Sequence, residues 1–273
     1  MVAAGHNGRL AERLKLLVTA KTYPQPSATY QETVCTAGIA SDGRWIRLYP
    51  IQFRYWAPEK QYSLYDWIEV TTRKRPPYKD NRKESYSPLG DVQVVGQASK
   101  ANNWAERRRL VLPYASPSVE YLQAAYGRDG TSLGLVQPAK VVDVVAEKEQ
   151  DTWNPRQLGW LTQGRLFGPG VKRLEKLDRR FSYVFRCHEP GCKGHKMKIT
   201  DWGLCLLYLK IRAQEGEKAA VEKTAEKCQD IVADDKDSYL YVGTVWPKPS
   251  FIVIGMFYPK KERSTGQAAL PLG

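Results

Sequence analysis

Short apolar blocks, some continuous and some alternating with polar residues, recur along the chain and are separated by turns rich in proline, glycine and aspartate. Residues 15–20 form one continuous block and predict a first buried strand. Tyr23-Pro24-Gln25-Pro26-Ser27 then forces a loop, because proline removes a backbone donor and fixes φ. Residues 33–39 predict a second strand. Asp42-Gly43 supplies a hairpin turn, and residues 44–49 alternate as a third strand with Trp45 and Arg47 on the face opposite Ile46. Strands at 65–72 and 91–95 complete a compact β-rich half.

The period changes after residue 100. Residues 104–109 and 118–126 carry apolar positions at helical intervals, and Ser118 is suited to cap the second of these helices. Residues 130–134 read as a turn, and 135–145 return to strand, interrupted by Pro138. A mostly polar stretch from 148 to 180, containing the turn Gly168-Pro169-Gly170, leads to an alternating strand at 181–186. Helices follow at 201–212, capped by Thr200 or Asp201, and at 215–232, where Ala, Glu and Lys suggest a solvated face. Residues 239–244 and 251–257 pair as strands to close a second sheet. The expected fold class is therefore α+β and β-rich. We expect a barrel-like domain over residues 1–98, an α+β domain over 99–262 and a flexible tail at 263–273, where no core-forming pattern is present.

With 273 residues, 42% of them hydrophobic and 11% aromatic, the chain can bury a sizeable core, which argues against disorder. No apolar run reaches membrane-spanning length and no signal-peptide core is visible, so a cytoplasmic protein without a membrane partner is expected. Charge alters the picture more. The formal net charge is +13, and such a field attracts polyanions. Basic groups are interleaved with aromatics: Arg73-Lys74-Arg75 precedes Tyr78, Arg82-Lys83 precedes Tyr86, and Arg107-Arg108-Arg109 follows Trp104. That arrangement suits phosphate contacts beside base-stacking rings. The predicted partner is nucleic acid, DNA or RNA. Its contacts are expected from Arg73, Lys74, Arg75, Arg82, Lys83, Arg107, Arg108 and Arg109, with Arg47 and Arg54 near an aromatic face that includes Trp45. Other protein subunits, met through the same positive surface, are the alternative.

The sharpest local motif is Cys187-His188-Glu189-Pro190-Gly191-Cys192-Lys193-Gly194-His195. Only five cysteines and three histidines occur in the chain, and two of each fall here. Thiolate and imidazole suit Zn²⁺, and Pro190-Gly191 lets the backbone reverse so that Cys192 approaches Cys187. The motif reads as a structural zinc knuckle of Cys187, Cys192 and His195, with Cys205 as the expected fourth ligand and Asp201, His188 and Cys35 in reserve. Ordinary buried thiols are the competing reading.

Among carboxylates, Asp80 and Glu84 flank Arg82-Lys83 and could act as acid and base or hold a metal in a nuclease or base-removing enzyme. A loop whose charges neutralise one another is the plainer reading. Neither a phosphate-cradling glycine loop nor a dinucleotide fingerprint is present, which disfavours NTP hydrolysis and dinucleotide chemistry. Cys35 reads as a core thiol rather than a nucleophile.

One family resemblance adds to this. Glu32-Thr33-Val34-Cys35-Thr36-Ala37-Gly38-Ile39, followed by Gly43-Arg44-Trp45-Ile46-Arg47-Leu48-Tyr49-Pro50, resembles the opening of bacterial dual OB-fold domain proteins. It implies an OB-like barrel in the first half, whose open face would hold single-stranded nucleic acid. A second β domain carrying the knuckle and two helices would follow. The function expected from these readings together is nucleic-acid binding, possibly within a bacterial defence or DNA-processing system.

Overall fold

The computed structural model describes residues 10–162 and 171–262. The expected flexible tail at 263–273 and the turn Gly168-Pro169-Gly170 lie outside the described residues.

The first half contains β1 (Glu12–Lys21), β2 (Gln25–Ser27), β3 (Gln31–Ala40), β4 (Trp45–Ile51), β5 (Asp66–Lys74) and β6 (Ser85–Gln97). All pairs are antiparallel except β4 with β6, where Arg47 lies opposite Ser85 and Leu48 opposite Tyr86. Strand β1 pairs with both β3 and β5, so the pairings run β1–β3–β4–β6–β5 and return to β1. The β4–β6 link is only two residue pairs long, and the ring is not clearly closed. Leu14, Leu16, Val18, Ile46, Leu48, Ile68 and Val70 fill its interior.

The second half begins with α1 (Ala101–Val111), β7 (Ala115–Ser116) and α2 (Val119–Asp129), then β8 (Leu133–Val136), β9 (Lys140–Lys148) and α3 (Pro155–Thr162). It continues through β10 (Arg179–Arg186), β11 (His195–Lys198), α4 (Trp202–Glu215), α5 (Glu217–Ile231), β12 (Tyr239–Thr244) and β13 (Phe251–Phe257). Ser118 caps α2 by accepting from the Tyr121 N–H, and Asp201 caps α4 by accepting from Leu204. Strand β10 lies between β9 and β11, and β12 between β8 and β13. A parallel bridge from Ile199, just past β11, to Val253 on β13 joins the two sheets. Strands β8 and β9 are parted only around Pro138, which cannot donate to a ladder. The pairings thus run β8/β9–β10–β11–β13–β12 and back to β8.

A third apolar cluster belongs to neither half alone. Leu17, Ala20, Ala37 and Ile39 of β1 and β3 pack against Leu133, Leu135, Tyr241, Ile254 and Phe257 of the second half. This explains why residues 15–20 show no alternation: Leu16 and Val18 face the first ring's interior, while Leu17 and Ala20 face the other half. The approach is close, since a Cβ on Gly255 would stand 3.0 Å from the Ala20 Cβ.

Polar groups set the register of this seam. Arg47 is 1% exposed and donates from Nη1 to Ser132 Oγ (2.7 Å) and from Nη2 to the Ser132 carbonyl (3.0 Å). Glu84 accepts from the Ser132 N–H (2.9 Å) and from its hydroxyl (2.6 Å). Arg82, 6% exposed, holds Asp80 through Nε (2.8 Å) and Nη2 (2.7 Å) and donates across the seam to the Thr244 carbonyl (2.7 Å). At the far end of β1, Lys21 lies over the Phe53 and Trp202 rings, 4.2 and 5.3 Å from their centroids, and donates to the Tyr62 carbonyl. Burial pulls its ammonium down to about 8, against the attraction of Asp66 and Asp201. Asp201, which forms an isolated antiparallel bridge with Thr22, is pushed up to about 6 by burial, although two backbone N–H groups and Lys21 oppose this.

Two predictions follow from the seam. Arg82→Ala leaves Asp80 buried with only Arg75, 3.7 Å away, to offset its charge and should cost about 3 kcal/mol, read from urea unfolding; a loss below about 1 kcal/mol contradicts the pairing. Asp201 binds its proton more tightly folded than unfolded, so its contribution is present below about pH 4 and lost as pH rises through about 6. Asp201→Asn keeps the cap oxygen and removes the titration. The variant should therefore be the more stable above pH 6, with the difference shrinking towards pH 4; a difference that does not vary with pH contradicts this.

Candidate functional site

Two features gather chemistry-bearing side chains. The first lies where α2 meets the β10–β11 hairpin. The turn at Pro190-Gly191 closes with the Cys192 N–H donating to the Glu189 carbonyl (3.0 Å), and Gly194 takes a φ of +96° that favours glycine. Cys187, Cys192, His195 and Glu120 thereby offer four ligand atoms that lie within 4.8 Å of one another, and this group could hold a metal ion. His195 Nε2 is 3.3 Å from Cys192 Sγ and 2.9 Å from Glu120 Oε1. Each thiol also accepts from a backbone N–H: Val119 to Cys187 (3.4 Å) and Cys187 to Cys192 (3.3 Å).

Electrostatics at this group point the same way. Burial pushes the Cys187 thiol up to about 12, so a cation is what would make it a thiolate. Burial also opposes ionisation of Glu120, but hydrogen bonds from Cys192, its own N–H and His195 hold its carboxyl below the usual range. The second carboxylate oxygen, Oε2, is buried with no hydrogen-bond partner. Cys205, the expected fourth ligand, is not in this group. It sits on α4 in a separate cluster with Tyr23, Trp153 and Leu174, where burial raises its thiol pKa. The fourth group is Glu120, at the start of α2. Of the reserves, Asp201 is occupied as a helix cap, His188 is exposed, and Cys35 is on β3.

The second feature is a groove of about 1000 Å³ on the first half, between the β2–β3 turn and the chain leaving β5. Arg73, Lys74, Arg75 and Lys79 line it together with Tyr30, Tyr49 and Tyr78, and no carboxylate does. Arg75 donates to the Tyr49 carbonyl (3.1 Å) and lies over the Tyr49 ring, 5.4 Å from its centroid. Lys74 donates to the Arg82 carbonyl (3.2 Å) and that of Lys83, and lies over Tyr86. The groove runs into a cavity of about 410 Å³ at the seam, because Tyr49, Arg75 and Lys79 line both.

The remaining expected cations are spread elsewhere. Arg47 and Arg82 are in the seam, with burial pulling the Arg47 guanidinium below its ordinary value. Arg54 is paired with Glu32 (3.0 Å) and with the Lys172 carbonyl. Lys83 is paired with Asp129 (2.9 Å) and Arg108 with Asp237 (2.6 Å). Arg107 donates to the Ala98 carbonyl and stacks on Tyr65, 4.1 Å from the ring centroid. Arg109 is exposed on α1, and Trp45 packs edge-on to Tyr241. The expected single surface therefore divides: Arg73, Lys74 and Arg75 share a groove, which also recruits Lys79, while Arg107, Arg108 and Arg109 belong to a different part of the fold.

The candidate acid/base pair is occupied as well. Asp80 and Glu84 are both buried, with Asp80 held by Arg82 and Glu84 by Ser132. Arg82 outweighs the burial that would raise the Asp80 carboxyl and holds it below the usual range. These charges neutralise one another inside a seam rather than on a surface loop.

Compared with known families, residues 12–113 match the domain of unknown function DUF8758, and residues 115–271 match the domain of unknown function DUF8757. The second match spans more than half of the chain, which belongs to that family. No curated protein matches it.

Proposed function

We propose that this member of the DUF8757 family binds single-stranded nucleic acid along the groove on its first half, on two OB-type rings, the second braced by a structural zinc ion. The observation that carries the reading is the groove lining: four cations and three tyrosines with no carboxylate among them. Cations there neutralise phosphates, and each base stacked on a ring contributes about 1–3 kcal/mol.

Strand order supports the OB-type reading. If the main strands of each half are numbered one to five in chain order, both halves pair as one-two-three-five-four-one, with the third and fifth parallel. That order is a five-stranded Greek key, and such barrels bind oligonucleotides on an open strand face. In the second half, α4 and α5 stand between the third and fourth strands.

Zinc is the ion that fits the donor set of two sulfurs, one imidazole nitrogen and one carboxylate oxygen. Tetrahedral bonds of about 2.0–2.3 Å place ligand atoms roughly 3.3–3.8 Å apart, so an ion would draw in the farthest of these atoms, which lie within 4.8 Å of one another, and ease His195 Nε2 and Glu120 Oε1 apart from 2.9 Å. Four protein ligands leave no open position for substrate, so the ion's work is to fasten α2 to the β10–β11 hairpin. The enzymatic alternative, with Asp80 and Glu84 as acid and base, loses support because Arg82 and Ser132 already occupy those carboxylates.

Four phosphate contacts give an expected slope of log affinity against log salt near −3 for single-stranded DNA, or roughly a 50-fold loss between 50 and 200 mM. Removing Arg73 and Lys79 together should reduce the slope by about 1.4; affinity that ignores salt in the parent protein contradicts the reading. For the metal, elemental analysis should find about one zinc per chain, lost in Cys192→Ser and Glu120→Ala and kept in Cys205→Ser. Zinc below about half an equivalent that added zinc does not restore, or loss in Cys205→Ser alone, contradicts the assignment.

A further inference from the structure

The seam cavity has a lining that the groove alone does not explain. Five cations line it, Arg47, Arg75, Lys79, Arg82 and Lys198, against the single carboxylate of Asp80, which Arg82 holds at 2.7 Å and Arg75 approaches at 3.7 Å. Its inner wall is apolar, with Ile252 and Ile254, and Trp246 stands in the wall with more than a third of its surface exposed. Thr244 also lines it. That residue is 5% exposed, and its hydroxyl is buried with no hydrogen-bond partner. An unmatched buried hydroxyl costs about 1–3 kcal/mol, which a ligand group would recover once a small shift of the wall opens the hydroxyl to the cavity. At about 410 Å³ the cavity falls within the range of small-molecule sites, and its entrance is continuous with the groove through Tyr49, Arg75 and Lys79.

We propose that this cavity is a nucleotide pocket: one base of the bound strand leaves the groove and enters it. The base lies against Trp246 and Ile254, an edge polar group meets the Thr244 hydroxyl, and the phosphate stays at the mouth on Arg75 and Lys79. Apolar walls suit a base, convergent cations suit its phosphate, and the unpartnered hydroxyl offers one hydrogen bond that can discriminate among bases. The inference rests on the nucleic-acid reading, so its test must separate the two.

Cys35 lines the same cavity and supplies a probe within the full-length protein. Its alkylation by N-ethylmaleimide, followed by mass spectrometry, reports occupancy. At least one of the four nucleoside 5′-monophosphates should slow that alkylation about tenfold, while inorganic phosphate at the same concentration does not. Thr244→Val, which keeps the shape, and Trp246→Ala should each abolish this protection and weaken oligonucleotide binding about tenfold without changing its salt slope. Arg73→Ala should change the slope and leave the protection intact. Equal protection by inorganic phosphate reduces the cavity to an anion site and overturns the proposal. Salt-dependent oligonucleotide binding with no protection by any mononucleotide overturns the pocket and leaves the groove standing. Protection by a mononucleotide with no oligonucleotide binding overturns the strand reading and, with it, the pocket as stated here.

Discussion

Two guanidinium groups buried between the halves govern the rest of the molecule. Removing a charged group from water costs several kcal/mol unless it is paired, and Arg47 and Arg82, both of the first half, need acceptors that the second half supplies, Ser132 for Arg47 and the Thr244 carbonyl for Arg82 beside its own Asp80. Ser132 and Thr244 must therefore lie where they do relative to β4 and the chain between β5 and β6. The apolar contacts around Leu17, Ile39, Leu135, Tyr241 and Phe257 contribute the larger free energy, at roughly 1.5–3 kcal/mol for each large side chain buried. Apolar surface is not directional. The guanidinium network tolerates no slippage, so the register of the two halves, and the shape of the cavity between them, is set by the weaker but geometrically demanding interaction.

The Glu120, Cys187, Cys192 and His195 group and the seam pose related problems at different places. At the seam, buried charge is matched within the protein. At the hairpin, the Glu120 Oε2 without a partner and the Cys187 thiol held protonated by burial mark a place where the protein's own groups do not suffice. A cation there would turn an arrangement that costs free energy into one that cross-links α2 to the β10–β11 hairpin. Both devices join segments distant in sequence. The hairpin group sits beside the apolar core of Phe185, Met197 and Leu204, and the seam beside that of Leu17, Leu135 and Tyr241.

Features encoded over a few residues were legible in the sequence. The strands at 15–20, 33–39, 239–244 and 251–257, the caps at Ser118 and Asp201, and the convergence of Cys187, Cys192 and His195 all follow from local period, cap chemistry or turn chemistry. Short or irregular pieces were missed: β2, β7 and β11 are too brief to show a period, and α3 sits in a stretch that reads as polar. Strand β6 begins at Ser85, well before the apolar block at 91–95, because its early residues pair with β4 and β5 without forming an apolar run. Arg47 and Arg82 read as surface cations because their acceptors, a serine at 132 and a backbone carbonyl at 244, leave no mark near them in the chain. Glu120 was missed for the same reason, being separated from Cys187 by most of α2, three strands and α3. The one available signal was its position in the first turn of a capped helix, which is common to acidic residues of every kind.

Strand β1 is covered on one side by its own ring and on the other by β13, the last strand among the described residues. In the order of synthesis, β1 must wait for β13 before Leu17 and Ala20 are shielded from water. A growing chain on the ribosome consequently carries a greasy, strand-edged surface for as long as residues 22–250 are being made. The cell's holding factors, rather than the finished fold, would have to keep that surface from sticking to its neighbours.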